Sequence, residues 1–130
     1  MTLREVIRHV DETKPNAFEN IDKVDFLNDI ETMILDEVLK HPHERPYSYT
    51  TEQDNDLDKE LLVPAPYDVL YRYWLAAQID LADGEFDYYQ NSAAVYNAVF
   101  EKFCCWVGNN WDPAKGGEPE WLIRWLEEND

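Results

Sequence analysis

The chain has 130 residues, enough for one domain with a modest core. Hydrophobic residues make up 45% and aromatics 14%, which excludes a chain disordered throughout. The formal net charge is −17, from 28 acidic and 11 basic residues, and every quarter of the chain is acidic; that balance disfavours unaided binding to nucleic-acid phosphates.

The first predicted helix opens at Thr2, which has Glu5 three residues on, a capping-box pattern. Leu3, Val6, Ile7 and Val10 then share one stripe. The helix should stop before Pro15, with Thr13-Lys14-Pro15-Asn16 as the turn. A second helix is expected from about Ile21 to Lys40, capped by Asn20 or Asp22. Its stripe is Val24, Leu27, Ile30, Ile34 and Val38, widened by Phe26 and Met33.

His41-Pro42-His43-Glu44-Arg45-Pro46 ends that helix. Residues 47–60 read as a long, polar, irregular loop, the kind that often serves function or an intersubunit contact. Pro66 lies near the first turn of a third helix, where a missing N–H costs little. Tyr67, Leu70, Tyr71, Trp74, Leu75, Ile79 and Ala82 form its apolar face. Asp83-Gly84 closes it with a residue able to take positive φ. The fourth helix follows at once, with Phe86, Tyr89, Ala93, Tyr96, Phe100, Phe103 and Val107 alternating at three and four. A connection this short forces the two helices antiparallel.

Residues 1–110 therefore read as an all-α domain, a bundle of about four helices around a central antiparallel hairpin. Residues 111–130 read as a linker and a short tail. In the tail Trp121, Leu122, Trp125 and Leu126 make an i, i+4 apolar face. A helix of one or two turns is marginal alone and must dock on this domain or on something else.

Little in the sequence equips an enzyme, and none is expected. His41, His43 and Glu44 have metal-ligand chemistry, but prolines bracket them and no second ligand pair stands out. Asp54, Asp56 and Asp58 lack the glycine and closing glutamate of a calcium loop. Cys104 and Cys105 are neighbours that cannot bridge to each other on one helix, and at least one reads as a small buried hydrophobe. With four glycines there is no phosphate-binding loop, and Ser48 and Ser92 are the only serines. No cofactor or metal is expected. Near the hairpin turn, Gln78, Asp80, Asn91, Ser92 and Asn97 are either solvent-facing or hydrogen-bonded between helices or subunits. The start of the chain lacks an apolar leader, and no segment reads as a membrane span, so a soluble protein made in the cytoplasm is expected.

One series of residues carries a resemblance. It comprises the run from Glu60 through Leu61-Leu62-Val63-Pro64-Ala65-Pro66-Tyr67-Asp68 to Tyr71, then Ala77-Gln78-Ile79-Asp80, Gly84-Glu85 and Tyr89-Gln90-Asn91-Ser92. With Thr2-Leu3-Arg4-Glu5 and Lys14-Pro15-Asn16, it resembles the head–tail connector proteins of long-tailed phages, also called adaptor or head-completion proteins. The resemblance covers roughly residues 1–107. It implies a virion protein of the neck, commonly assembled as a ring of twelve copies beneath the portal. Such a ring extends the DNA channel and docks the next neck or tail protein. An acidic lumen would let DNA pass without specific binding.

The tail after Val107 departs from that pattern. Trp111, Trp121, Leu122, Trp125 and Leu126, with Tyr47 and Tyr49 of the long loop, are the expected contacts with the portal or a neighbouring subunit. On this expectation, deleting residues 111–130 abolishes portal binding and leaves the helical fold intact. Two other readings compete: an acidic DNA mimic that sequesters a basic partner, and a small enzyme or metalloprotein using the region of His41 and His43.

Overall fold

The computed structural model describes residues 1–40, 49–51, 54–112, 114 and 117–128. Over these residues the protein is all-α, with helices α1 (Leu3–Thr13), α2 (Asn20–Met33), α3 (Leu70–Ala82), α4 (Phe86–Asn110) and α5 (Glu120–Glu128). His41, His43, Glu44 and Tyr47 lie outside the described residues.

Helix α1 starts where its cap requires. The Thr2 side chain accepts from Glu5 N–H at 3.1 Å, and Leu3, Val6, Ile7 and Val10 turn into the core. Helix α2 buries Val24, Leu27 and Ile30 as expected, but its end differs. From Ile34 to Val38 the chain winds as a π-helical turn, and Leu39 N–H reaches back five residues to the Ile34 carbonyl at 3.0 Å. The wider turn inserts one residue into the helical phase. Leu35 and Leu39 therefore enter the core, and Val38 is left half-buried.

Helices α3 and α4 form the antiparallel hairpin at the centre, and α1 and α2 pack against α3. A 3-10 turn, Tyr67–Val69, leads into α3. Gly84 takes φ +76°, Glu85 N–H donates to Asp80 O at 2.8 Å and Gly84 N–H to Leu81 O at 3.2 Å. This paired bonding satisfies the carbonyls at the end of α3, and only glycine adopts that φ without strain.

At the far end, the chain start pairs with residues 59–61. Leu3 N–H donates to Lys59 O at 3.3 Å and Leu61 N–H to Met1 O at 3.0 Å, around a single antiparallel bridge between Thr2 and Glu60. The segment Leu61-Leu62-Val63 is thereby held inside the core, each residue 3% exposed or less.

Candidate interaction surface

The buried end of the hairpin is fixed by a carboxylate. Glu31 of α2 is fully buried. It accepts from the Tyr49 hydroxyl at 2.9 Å, from Leu62 N–H at 3.0 Å and from the Tyr71 hydroxyl. Tyr71 in turn accepts from Val63 N–H at 2.9 Å. Burial, and then the Glu31 charge, push the Tyr71 phenol well above its ordinary value of 10.0. Asn28 ties in the same loop, donating to Tyr49 O and accepting from Tyr49 N–H, both at 3.0 Å. These groups are structural: every polar atom named here faces another protein group in the core.

Tyr49 is therefore no outward contact. It is 4% exposed, and its hydroxyl and backbone are engaged with α2. The acidic run after it is used locally as well. Asp56 accepts from Thr50 N–H at 2.8 Å, and Asp58 pairs with Arg4 at 2.8 Å.

Of the two placements expected for the tail, on this domain or on something else, the structure shows the first. Helix α5 folds back on its own domain. Leu122 is fully buried and Trp125 is 4% exposed, with its indole N–H donating to Glu60 O at 3.0 Å. Trp121 packs on Trp106 and Phe103, ring centroids 5.5 and 6.1 Å away. Leu126 is half-buried against the same core. Trp111 is half-buried too, donates to Gly117 O at 3.2 Å, and lines an open groove of about 390 Å³ with Phe100, Cys104 and Val107. Burial pushes the Cys104 thiol up, away from the thiolate a nucleophile needs.

Among the described residues the exposed large apolar side chains are Ile21, Leu81, Phe86, Tyr88, Val95 and Ile123, and three of them, Leu81, Phe86 and Tyr88, fall around the turn of the hairpin. Leu81 is 44% exposed and Phe86 is 61% exposed, either side of the Gly84 turn. Asp83, Glu85 and Asp87 lie beside them in the sequence, all exposed. Phe86 was expected to open the buried seam of α4; in the structure that seam is fully buried only at Tyr96, Phe103 and Val107. Behind the tip the hairpin is braced. Asp80, 2% exposed, pairs with Lys14 at 2.6 Å and accepts from the Ser92 hydroxyl at 3.4 Å. Asp80 and Ser92 thus join α3 to α4, whereas Asn91 and Asn97 face solvent.

The grooves are open to solvent; one is lined by Glu101, Lys102 and Cys105, and another by Glu37 and Cys104. Among the described residues no three His, Cys, Asp or Glu side chains converge on a common point. No helix of the described residues is long and apolar enough to cross a membrane. The fold and surface define a small all-α protein built on one braced hairpin, with exposed apolar and acidic residues at its tip. Comparison with family models, with curated proteins and with solved structures finds no match to the chain.

Proposed function

We propose that this protein is a head–tail connector subunit, a structural protein that closes into a ring, commonly of twelve copies, below a phage portal. In this role it extends the DNA channel and docks the next neck or tail protein. The observation that carries the reading is the hairpin tip, where Leu81 and Phe86 stand exposed among the exposed acidic residues Asp83, Glu85 and Asp87. An aromatic anchor in a polar rim is the form that binding hot spots take. The resemblance supports it from the other end. The residues that carry it, Leu61-Leu62-Val63 and Tyr71, are those that lock the hairpin base to α1 and α2. The charge of −17 suits a channel wall past which DNA slides.

The test is binding to a purified portal ring, followed by light scattering after size exclusion. The expected result is one connector chain per portal chain. Phe86→Asp should weaken that binding by at least about tenfold. It should leave thermal unfolding unchanged, because Phe86 is largely outside the core. A monomer that ignores the portal and competes with DNA for a basic protein would instead establish the mimic and end this reading.

A further inference from the structure

Helix α4 carries a second, exposed seam; among the described residues Lys14 sits over the Tyr88 ring at its start, 5.0 Å from the centroid, and the seam from Asn91 to Cys105 lies open. From Tyr88 to Phe100 the helix has thirteen consecutive residues without a charge, in a chain that is 30% charged. Beyond them Glu101 and Lys102 cancel, and the next charge is Asp112. Tyr88, Asn91, Val95, Ala98, Lys102 and Cys105 recur at intervals of three and four, and all are exposed. The buried seam of Tyr96, Phe103 and Val107 occupies another face of the same helix. A stripe with this spacing is what a helix presents to another helix.

We propose that a second copy of this chain covers this face, with the two α4 helices antiparallel. Charge selects the occupant. Two chains of −17 repel over most of their surfaces, and this is the face where they meet without opposing carboxylates. A basic partner, by contrast, would be drawn to the acidic surfaces and gain nothing here. Charge also selects the direction. Antiparallel pairing sets Val95 against Ala98 of the second copy and brings Asp87 within one helical turn of that copy's Lys102. Parallel pairing would stack Lys102 on Lys102. In this register Asn91 lies opposite Lys102 of the second copy, and its amide oxygen can accept from that ammonium. Alanine at 94 and 98 lets the backbones approach closely. The face runs about 26 Å from Tyr88 to Cys105, which is small for an interface, so the pairing is weak and concentration-dependent.

This pairing belongs to the free chain and uses a different surface from the tip, so it stands or falls apart from portal binding. Sedimentation equilibrium of the full chain, up to about 1 mM, is the measurement. A monomer–dimer equilibrium is expected. Ala98→Glu should weaken it by at least about tenfold. Ala17→Glu adds the same charge at an exposed alanine elsewhere and should leave the equilibrium unchanged. Lys102→Asp should weaken pairing, and adding Asp87→Lys should restore it. Equal thermal unfolding of all variants shows that each is folded. A chain monomeric at every concentration, or an Ala98→Glu chain that pairs as before, overturns the proposal. Failure of Asp87→Lys to rescue Lys102→Asp overturns the antiparallel direction on which it rests.

Discussion

Leu122→Ala is expected to destabilise the domain by about 3 kcal/mol, and truncation before Pro119 by more. Leu122 is fully buried on the inner face of α5, while its neighbour Ile123 is 42% exposed. Removing the Leu122 side chain leaves a cavity facing a core that cannot fully collapse. Removing Ile123 to alanine takes away little that was out of water, and its effect should stay within about 0.5 kcal/mol. The pair therefore separates a docked helix from a loose tail. Truncation adds two losses: Glu60 O is deprived of the Trp125 indole donor, and the ring of Phe103, fully buried beside Trp121, is opened. Thermal unfolding followed by circular dichroism reads this directly. For a chain of this size Leu122→Ala should lower the midpoint by roughly 10 °C. If Leu122→Ala and Ile123→Ala melt together, α5 contributes nothing to the fold and the tail is free to act as an anchor after all.

That expected loss bears on any truncation test of the proposed portal contact. A chain lacking residues 111–130 loses the packing of Leu122 and Trp125, so Leu122→Ala in the full chain is its control. Trp121 and Leu126, each half-buried, are the tail positions of the expected set that still offer surface, together with Trp111. Leu122 and Trp125 offer almost none.

The helices were legible wherever the determining contacts are local. Thr2 with Glu5 marks the start of α1 because the cap and its partner are three residues apart. Gly84 marks the hairpin turn because one residue must take positive φ. The π-helical turn was not legible. The apolar residues around it fit either phase, and burial of Leu35 and Leu39 follows from a shift in backbone hydrogen bonding. Tyr49 looked like a loop residue because its partners Asn28 and Glu31 lie on a helix 21 and 18 residues earlier. The tail was readable as a helix in need of a partner; that the partner includes Glu60, 65 residues before Trp125, was beyond any local pattern. At the tip the heptad spacing was right but ran past the end of the core, so Phe86 keeps the seam's period without its burial.

Glu31 lies on the buried stripe of α2, four residues after Leu27 and three before Ile34. A carboxylate at such a position must be met by donors, since an unsatisfied buried charge is costly. The structure meets it with two phenols and a backbone N–H. Glu31→Leu should therefore cost about 3–5 kcal/mol, because it strands the Tyr71 hydroxyl and Leu62 N–H in the core. Glu31→Gln keeps the shape and one carbonyl acceptor and should cost less. Adding Tyr71→Phe to Glu31→Leu should make the second change cheaper than Tyr71→Phe alone, since the hydroxyl has by then lost its acceptor. Strictly additive losses in chemical denaturation would show that the two side chains do not act together.

The same cluster sets an alkaline limit. The Tyr71 phenol is raised well above 10.0 in the folded protein, first by burial and then by the Glu31 charge. An unfolded chain releases that proton near pH 10 and the folded chain keeps it. Above that pH the folded state binds more protons, so stability falls as pH rises. The contribution is complete below pH 10 and drains away from there towards the folded-state value. Tyr96 is raised as well, chiefly by burial, and adds to the slope. Tyr71→Phe should consequently flatten the loss of stability between about pH 10 and 12, even though it lowers stability at pH 7. An unchanged slope would mean that Tyr71 ionises alike in both states, and the buried bond to Glu31 would have to be abandoned.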